Sequence, residues 1–318
     1  MGQSLEVSVV IPTFNRARSV RRAIDSVLGQ LGVSPEVIVV DDGSTDATSE
    51  MLRTYGDAIR VISLENGGAC RARNIGAKAA RADYVMFLDS DDWISNDLLS
   101  GMLDRAKSTK SDIVFSRVRL VGQNSQDHIL GENLQHCENA DEVIGYWLED
   151  DYVPPCGVLW RRAALFDIGL WEEERQRNQD GELVLRALMG NLSWAFSDIG
   201  EGIYDKYYDG THISGRLLSR KELLDEIKLF NQISNWAEVK PAKSVKVSLG
   251  RAVYKIARKA YEANYKDLGD GCLTFSRELG FNGHIGRTGH GFISSMIGLR
   301  NKERLWVKIK QAIGRPAV

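Results

Sequence analysis

The chain has 318 residues, of which 43% are hydrophobic and 26% charged, and it contains six prolines. These values are typical of a folded protein of one or two domains, and they exclude disordered, fibrous and low-complexity classes. The net charge of -2 conceals two parts of opposite sign: residues 1–215 carry 21 Lys and Arg against 34 Asp and Glu, whereas residues 216–318 carry 20 against 9.

This asymmetry predicts two regions that meet different partners, 1–215 and 216–318. The four cysteines form no Cys-x-x-Cys pair, so neither a disulfide framework nor a zinc ribbon is predicted. The run Met1–Glu6 lacks the basic and apolar parts of a secretory signal, and no apolar stretch approaches the roughly 20 residues that span a bilayer. We therefore expect a cytoplasmic protein with reduced thiols.

The first hundred residues alternate short β-branched runs with helical patterns, which is typical of βα units on a parallel sheet. Strands are predicted at Val7–Ile11, Val37–Val40, Ile59–Ile62 and Val85–Leu88. Helices are predicted at Val20–Leu31, between the turn Asp41–Asp46 and Tyr55, and at Ala69–Ala80.

The pattern becomes less regular from Asp112 onward. It predicts a strand at Ile113–Phe115, a loop at Gly122–Asn133, helices at Asp141–Leu148 and Gly181–Met189, and a strand at Trp194–Phe196. The region after Arg216 reads as mainly helical. The predicted fold is therefore α/β, with a mostly parallel sheet flanked by helices and a helical C-terminal extension.

Strand ends in this pattern carry carboxylates. Asp42 follows the second predicted strand and Asp89 follows the fourth. Because open α/β sheets bind ligands beyond the carboxyl ends of their strands, both side chains are expected in one crevice.

The segment Phe87–Asp92 places three carboxylates within four residues. Like charges this close repel, so a divalent cation or basic groups should compensate them. The alternative is a solvated acidic loop in which Asp92 or Ser95 caps the next helix.

Four segments in order resemble the family 2 glycosyltransferases with a GT-A fold: Val7–Arg16, Val39–Asp46, Asn66–Gly76 and Leu88–Asp92. Each is weak alone, but four in order within about 85 residues form a specific signal. The resemblance covers roughly residues 5–215. It implies an inverting, metal-dependent transferase that uses a nucleotide-diphosphate sugar.

The resemblance also assigns roles to residues. It implies that Pro12, Thr13 and Phe14 line the nucleotide base, and that Asp42 accepts hydrogen bonds from the base or ribose. It implies nucleotide-sugar contacts for Asn66, Arg73 and Asp89, with Arg73 contacting the donor or bracing the acidic motif, and a metal contact for Asp91. The alternative for Asp42 is a turn residue, a structural role that we assign to Asp41 and Asp46.

A second segment, Asn178–Leu188, resembles the acidic pair that precedes a helix in this family, and the resemblance implies that Asp180 is the general base. The sequence departs from the family by placing Gln179 first, which removes one charge. The alternatives are that Asp180 is a helix cap, or that one of Glu172–Glu174 is the base.

His212 resembles the late His-x-Ser segment of the family and is implied as a second ligand for Mn²⁺ or Mg²⁺. The stretch Arg300–Ile313 could form a basic amphipathic helix on an anionic membrane surface, or pack on the catalytic domain or another subunit. No nucleic-acid motif is present.

The sequence therefore predicts transfer from a UDP-sugar to a hydroxyl of a glycan, polymer or lipid-linked acceptor, with polysaccharide assembly as the setting. The alternatives are a sugar-nucleotide-binding protein with a degenerate site, which Gln179 favours, and a nucleotidyltransferase. A nucleotidyltransferase is disfavoured because this sequence has Pro12–Asn15, and no Gly-rich loop with a basic residue, after the first strand.

Overall fold

The computed structural model describes residues 5–122, 128–205, 217–239 and 243–283, together with residues 285 and 301. The chain divides into two compact units. The first unit is drawn from Met1–Ala140, Asp151–Glu174 and Gln179–Tyr208, and the second from Asp141–Asp150, Arg175–Asn178 and Asp209–Val318. The second unit thus includes three short stretches from the region that we predicted as 1–215, namely 141–150, 175–178 and 209–215. A functional division at residue 215 remains a prediction.

The first unit is built on one sheet. The strands are β1 Val7–Thr13, β2 Glu36–Asp41, β3 Arg60–Ser63, β4 Tyr84–Phe87, β5 Trp93–Ile94, β6 Ile113–Val121, β7 His128–Leu130, β8 Val158–Arg161 and β9 Trp194–Asp205. Their order is β3-β2-β1-β4-β8-β6-β9-β5, with β7 paired to β6. Strands β3, β2, β1 and β4 are parallel, β6 and β9 are parallel, and β8 runs antiparallel to both neighbours.

Central strands β1 and β2 are buried along their whole length, as expected of Val- and Ile-rich strands covered on both faces. The helices of this unit are α1 Val20–Leu28, α2 Thr48–Arg53, α3 Ala69–Ala79, α4 Leu98–Thr109, α6 Arg162–Asp167 and α7 Gln179–Met189. Helix α1 buries Val20, Ala23, Ile24 and Val27, which lie at helical spacing.

Helix α3 is rich in small residues because it lies close to the sheet. A Cβ atom at Gly76 would lie 2.3 Å from Cγ1 of Val10 on β1 and 3.2 Å from Cγ2 of Val40 on β2. The absence of a side chain at Gly76 therefore sets the distance between this helix and the sheet.

The second unit is helical in its described part. It contains α8 Arg220–Val239, α9 Lys243–Glu262, α10 Lys266–Glu278 and all but the first residue of α5 Ala140–Leu148. Helix α9 packs against α8 and α10, and the buried Tyr254 ring meets Phe281 edge-on at 5.6 Å. At the start of α8, the Glu222 carboxylate accepts hydrogen bonds from the backbone N–H and hydroxyl of Ser219.

Sequence and structure agree on the first four strands and on the presence of the helices between them, although α1 ends at Leu28 and not at the predicted Leu31 because Gly29 caps it. The predicted loop Gly122–Asn133 is wrong for His128–Leu130, which pair with β6. Strand β9 is longer than the predicted Trp194–Phe196 because it continues along β6 to Asp205 after an irregularity. None of the helices in the described part of the chain is long and apolar enough to cross a membrane.

Candidate active site

The carboxyl ends of adjacent parallel strands β2, β1 and β4 meet at one edge of the sheet. Asp41 ends β2, Thr13 ends β1, and Asp89 lies two residues after β4. Pro12 and Thr13 are buried, whereas Phe14 is 45% exposed. The Thr13 hydroxyl is buried and finds no hydrogen-bond partner in the part of the chain that the structure describes. The role of these residues in lining a nucleotide base stays a prediction.

Asp42 organises the loop that follows β3. Its two carboxylate oxygens accept hydrogen bonds from the backbone N–H groups of Gly67 (2.9 Å) and Gly68 (2.8 Å). The Asn66 side-chain amide donates to the backbone oxygen of Asp42 (3.0 Å). Gly68 has a φ of 93°, a conformation that glycine adopts without steric cost. The structure therefore brings Asp42 and Asn66 together and gives the Asp42 carboxylate a role in ordering a loop.

Asp41 and Asp46 have the structural roles predicted for them. Asp41 accepts hydrogen bonds from the Ser44 backbone N–H (3.0 Å) and the Ser49 hydroxyl (2.7 Å). Asp46 accepts one from the backbone N–H of Thr48 at the start of α2 (2.9 Å).

The acidic turn, residues Asp89–Asp92, carries two partly exposed carboxylates. Asp89 accepts a hydrogen bond from Nη2 of Arg73 at 2.5 Å. Asp91 lies 3.8 Å from Nη2 of Arg16, a longer ion pair. The side chains of Asp89 and Asp91 are both 29% exposed, so both can be reached from solvent.

Asp92 is the buried member of the acidic turn. Its Oδ1 accepts a hydrogen bond from the backbone N–H of Asp205 (3.0 Å), and its Oδ2 is buried with no hydrogen-bond partner among the described residues. Burial raises the pKa of the Asp92 carboxyl well above its ordinary value, and the charges of Asp89 and Asp91 raise it further. Burial also raises the pKa of the Cys156 thiol, and the charges of Asp92 and Asp89 raise it further. Negative charge is therefore crowded at this turn, and a cation would relieve the crowding.

The acidic turn fits a divalent cation that takes one carboxylate from the protein and its remaining ligands from phosphate and water. Within the described residues, no three His, Cys, Asp or Glu side chains are grouped as a metal centre. Asp89 is paired with Arg73 and Asp92 is buried, so Asp91 is the accessible carboxylate with the looser ion pair. Mg²⁺ commonly takes one or two carboxylates and completes its shell with phosphate and water. His212, the other predicted ligand, lies outside the described residues.

Arg73 lies between the acidic turn and helix α7. Besides its bond to Asp89, its Nη1 donates to Oε1 of Gln179 (3.2 Å). Burial acts to lower the pKa of the Arg73 guanidinium, but Asp89 and Asp180 outweigh it and the pKa rises. One permanent cation therefore contacts both the acidic turn and the first residue of α7.

Trp171, which our sequence analysis did not single out, packs on Arg73. The guanidinium carbon lies 4.5 Å from the centre of the indole, which also meets the Phe87 ring edge-on at 5.1 Å. Asn74 fixes the backbone of Trp171 by accepting its N–H (3.0 Å) and donating to its oxygen (2.9 Å). Asn74 also donates to Glu173 (2.9 Å), so this alternative base is engaged in a structural contact.

Asp180 is partly buried in the first turn of α7, directly after Gln179. Burial raises the pKa of the Asp180 carboxyl; the Arg73 charge opposes this effect and the Asp89 charge adds to it. Burial raises the pKa of the Cys70 thiol to about 11. The charge of Arg73 opposes this shift and the charge of Asp180 adds to it. A carboxylate with a raised pKa is a better proton acceptor near neutral pH than an ordinary one. The structure thus places Asp180 within electrostatic reach of Arg73 and Asp89.

Tyr204, near the end of β9, is a further residue of this region that the sequence analysis missed. Burial raises the pKa of its phenol, and the charges of Asp92, Asp89 and Asp180 raise it further. Its hydroxyl group therefore lies within electrostatic reach of the acidic turn and of Asp180. Sequence alone could not find it because no motif marks the end of β9.

Solved structures of TarS share this fold. A structure of Staphylococcus aureus TarS in complex with UDP-GlcNAc matches with a TM-score of 0.62 at 18% identity, over 98% of this chain and 93% of that chain. A TarS structure in complex with UDP matches with a TM-score of 0.63 at 18% identity, over 98% and 92%. The predicted fold class, a GT-A arrangement with a helical C-terminal region, is thereby confirmed.

Curated relatives match over shorter stretches. EpsJ of Bacillus subtilis is 40% identical over 111 residues, which are 34% of this chain and 32% of that protein. The succinoglycan biosynthesis protein ExoO of Rhizobium meliloti is 40% identical over 118 residues, 36% and 34% of the two chains. The poly(ribitol-phosphate) β-N-acetylglucosaminyltransferase TarP of S. aureus is 36% identical over 124 residues, 37% and 38%. The chain spans about a third of the length of each of these relatives.

The family model described as glycosyl transferase family 2 matches residues 8–166, half of the chain. The match includes the strand ends and the acidic turn, whereas Asp180 lies beyond it. Together with the fold and the relatives, this match shows that the chain belongs to glycosyl transferase family 2.

Proposed function

We propose that this chain is an inverting glycosyltransferase that moves a sugar from a UDP-linked donor to a hydroxyl group of an acceptor, with Asp180 as the general base. The TarS complexes with UDP-GlcNAc and UDP, and the N-acetylglucosaminyl activity in the name of TarP, support UDP-GlcNAc as the first donor to test.

One observation carries this proposal. Arg73 donates to Asp89 of the acidic turn and to Gln179, the residue before Asp180. A donor-binding turn and a general base must lie close together for a transfer reaction. The contacts of the buried Arg73 side chain with the acidic turn and with the residue before Asp180 support this assignment.

The chemistry follows from the charges of these residues. Asp180 accepts the proton of the acceptor hydroxyl while the oxygen of that hydroxyl forms a bond to the anomeric carbon of the sugar. The bond between that carbon and the diphosphate oxygen breaks on the opposite face, so the configuration inverts and the nucleoside diphosphate leaves. The raised pKa of Asp180 favours this proton transfer.

Asp91 would hold Mn²⁺ or Mg²⁺, with His212 as the second predicted ligand. When bound, the cation would offset negative charge on the departing diphosphate. Arg16, 3.8 Å from Asp91, and Arg73, which pairs with Asp89, face carboxylates of the acidic turn, and we assign them to stabilising the same anionic group.

The acceptor is proposed to be a glycan, a polymer or a lipid-linked sugar. The succinoglycan and poly(ribitol-phosphate) named for ExoO and TarP support a polymeric acceptor in surface-polysaccharide assembly. A peripheral membrane contact through residues 216–318 would suit a lipid-linked acceptor. Self-association through the same region is the alternative.

Gln179 supports a second candidate function, a sugar-nucleotide-binding protein with a degenerate site. Its neutral amide replaces a carboxylate beside Arg73, at 3.2 Å. Turnover separates the two functions, because a binding protein would hold UDP-GlcNAc without hydrolysing or transferring it.

The test is calorimetric titration with UDP, with and without Mn²⁺, followed by an assay of UDP-GlcNAc hydrolysis. We expect UDP binding that Mn²⁺ strengthens and that Asp91→Asn weakens. The matched control is Asp57→Asn, the same change of charge at an exposed position after α2. Absence of UDP binding in both conditions would exclude the UDP assignment, and binding without turnover would favour the second candidate.

A further inference from the structure

Arg22 on helix α1 joins three parts of the first unit. Its Nη2 atom donates to the backbone oxygen of Asp91 (2.6 Å) and to Oδ2 of Asp205 (2.6 Å). Its guanidinium carbon lies 3.6 Å from the centre of the Trp93 ring. One side chain therefore contacts the acidic turn, the end of β9 and strand β5.

Asp205 contacts the acidic turn a second time. Its carboxylate, 12% exposed, accepts from Arg22, and its backbone N–H donates to the Asp92 carboxylate (3.0 Å). The neighbouring strand residues reinforce this arrangement, because Trp93 of β5 pairs with Ile203 of β9. The backbone of the turn is thus tied to the end of β9 from two sides.

Arg22 bonds to the backbone of Asp91 and not to its carboxylate in these contacts. The turn is therefore held without Arg22 occupying the oxygens that a cation would use. Arginine suits this position because its planar group stacks on an aromatic face while donating hydrogen bonds in the plane.

We propose that Arg22 is a positioning residue for Asp91: it fixes the backbone from which the Asp91 carboxylate would hold a divalent cation beside the donor diphosphate. The proposal rests on the proposed function, in which Asp91 binds that cation. Outer partners of metal ligands act in this way elsewhere, and their loss typically weakens metal affinity about 10–100-fold.

The experiment measures UDP binding by calorimetry over a series of Mn²⁺ concentrations. For Arg22→Ala, we expect the Mn²⁺ concentration that gives half-maximal strengthening of UDP binding to rise about 10–100-fold. UDP affinity without metal should stay unchanged. Arg22→Lys should restore part of the Mn²⁺ response, because an ammonium group can donate to Asp91 or Asp205 but cannot stack as arginine does.

Two further variants keep the test decisive. Arg21→Ala removes the same charge from the adjacent position, where the guanidinium lies 5.8 Å from the centre of the Tyr55 ring, and should leave the Mn²⁺ response unchanged. Asp205→Asn weakens the same contact from its other side, and should shift the Mn²⁺ response in the same direction as Arg22→Ala.

An unchanged Mn²⁺ response in Arg22→Ala would overturn the inference, as would an equal loss of UDP affinity with and without Mn²⁺, which would indicate general disruption of the fold. A failure of the proposed function shows itself separately, because the unaltered protein would then bind no UDP at any Mn²⁺ concentration, and the inference would fall with it.

Discussion

In the candidate site, the positive charge of Arg73 acts on the carboxylates of both Asp89 and Asp180. Its guanidinium pairs with Asp89, contacts Gln179 and packs on Trp171. With Glu at position 179 the same guanidinium would meet a second carboxylate. Because Gln179 is neutral, the positive charge of Arg73 is offset by fewer carboxylates and acts more strongly on Asp89, on Asp180 and on the anionic donor that we propose.

Replacing Asp180 by Asn should reduce kcat for sugar transfer by about 10²–10⁴-fold, the usual contribution of a general base, because an amide cannot accept the proton. UDP affinity should stay unchanged, since the base acts on the acceptor. Steady-state kinetics and UDP calorimetry check both parts. Glu174→Gln, at an exposed neighbouring carboxylate, is the control and should retain kcat. A loss of activity in the control alone would contradict the assignment.

The pH dependence of kcat/KM should report the environment of Asp180. The base works when deprotonated, so activity is present above its pKa and is lost as the pH falls through it. Because burial raises this pKa above 3.8, the loss should begin at a higher pH than for an ordinary aspartate. Arg73→Gln removes the cation that opposes this shift, and should move the acid limb to still higher pH. A limb that stays in place or moves down would contradict the assignment.

Helices and strands place these side chains, and the close approach of α3 to the sheet is the clearest case. Gly76→Ala would place a Cβ atom 2.3 Å from Val10, so we expect a loss of about 1–3 kcal/mol in the free energy of unfolding. The matched control is Gly271→Ala in α10, where nothing lies within 4 Å of the added atom. That change should stabilise by about 0.5–1 kcal/mol. Urea unfolding measures both, and a Gly76→Ala protein as stable as the original would refute the packing argument.

Local pattern predicted the elements that are buried on both faces or strongly amphipathic. Strand β2 contains the unbroken apolar run Val37–Val40, and α1 repeats its apolar residues at helical spacing, so both could be predicted. Strand β5 has two residues and β8 has four, and both pair with strands distant in sequence. Their formation depends on tertiary pairing, which no local pattern records.

The same distinction applies to the site. Asp42, Asp89 and Asp91 follow strands or belong to a motif, so sequence could find them. Trp171 and Tyr204 belong to the site only because distant segments fold together, and their immediate sequence carries no mark of it.

Over the whole molecule, charge is divided between acidic residues 1–215 and basic residues 216–318, where basic residues outnumber acidic ones by 11. The predicted helix Arg300–Ile313 lies almost wholly outside the described residues, so the charge itself is the basis of the prediction. Each Lys or Arg near an anionic surface contributes about 1 kcal/mol.

The chain should therefore sediment with vesicles that contain phosphatidylserine at low ionic strength. In about 1 M salt the Debye length falls to about 3 Å and the binding should be lost. Phosphatidylcholine vesicles are the control. Equal binding to both vesicle types, or binding that survives high salt, would contradict an electrostatic membrane contact.

Because the backbone N–H groups of Gly67 and Gly68 donate to the Asp42 carboxylate, a substitution of Asp42 would also release the loop that contains them. Because both carboxylate oxygens already hold the loop, the loop loses its conformational entropy during folding, and the donor binding that we propose would not have to order it. A variant at Asp42 would return that entropic cost to the binding step. Weaker donor affinity in such a variant would then measure the loss of a preformed loop as well as any lost contact with the nucleotide.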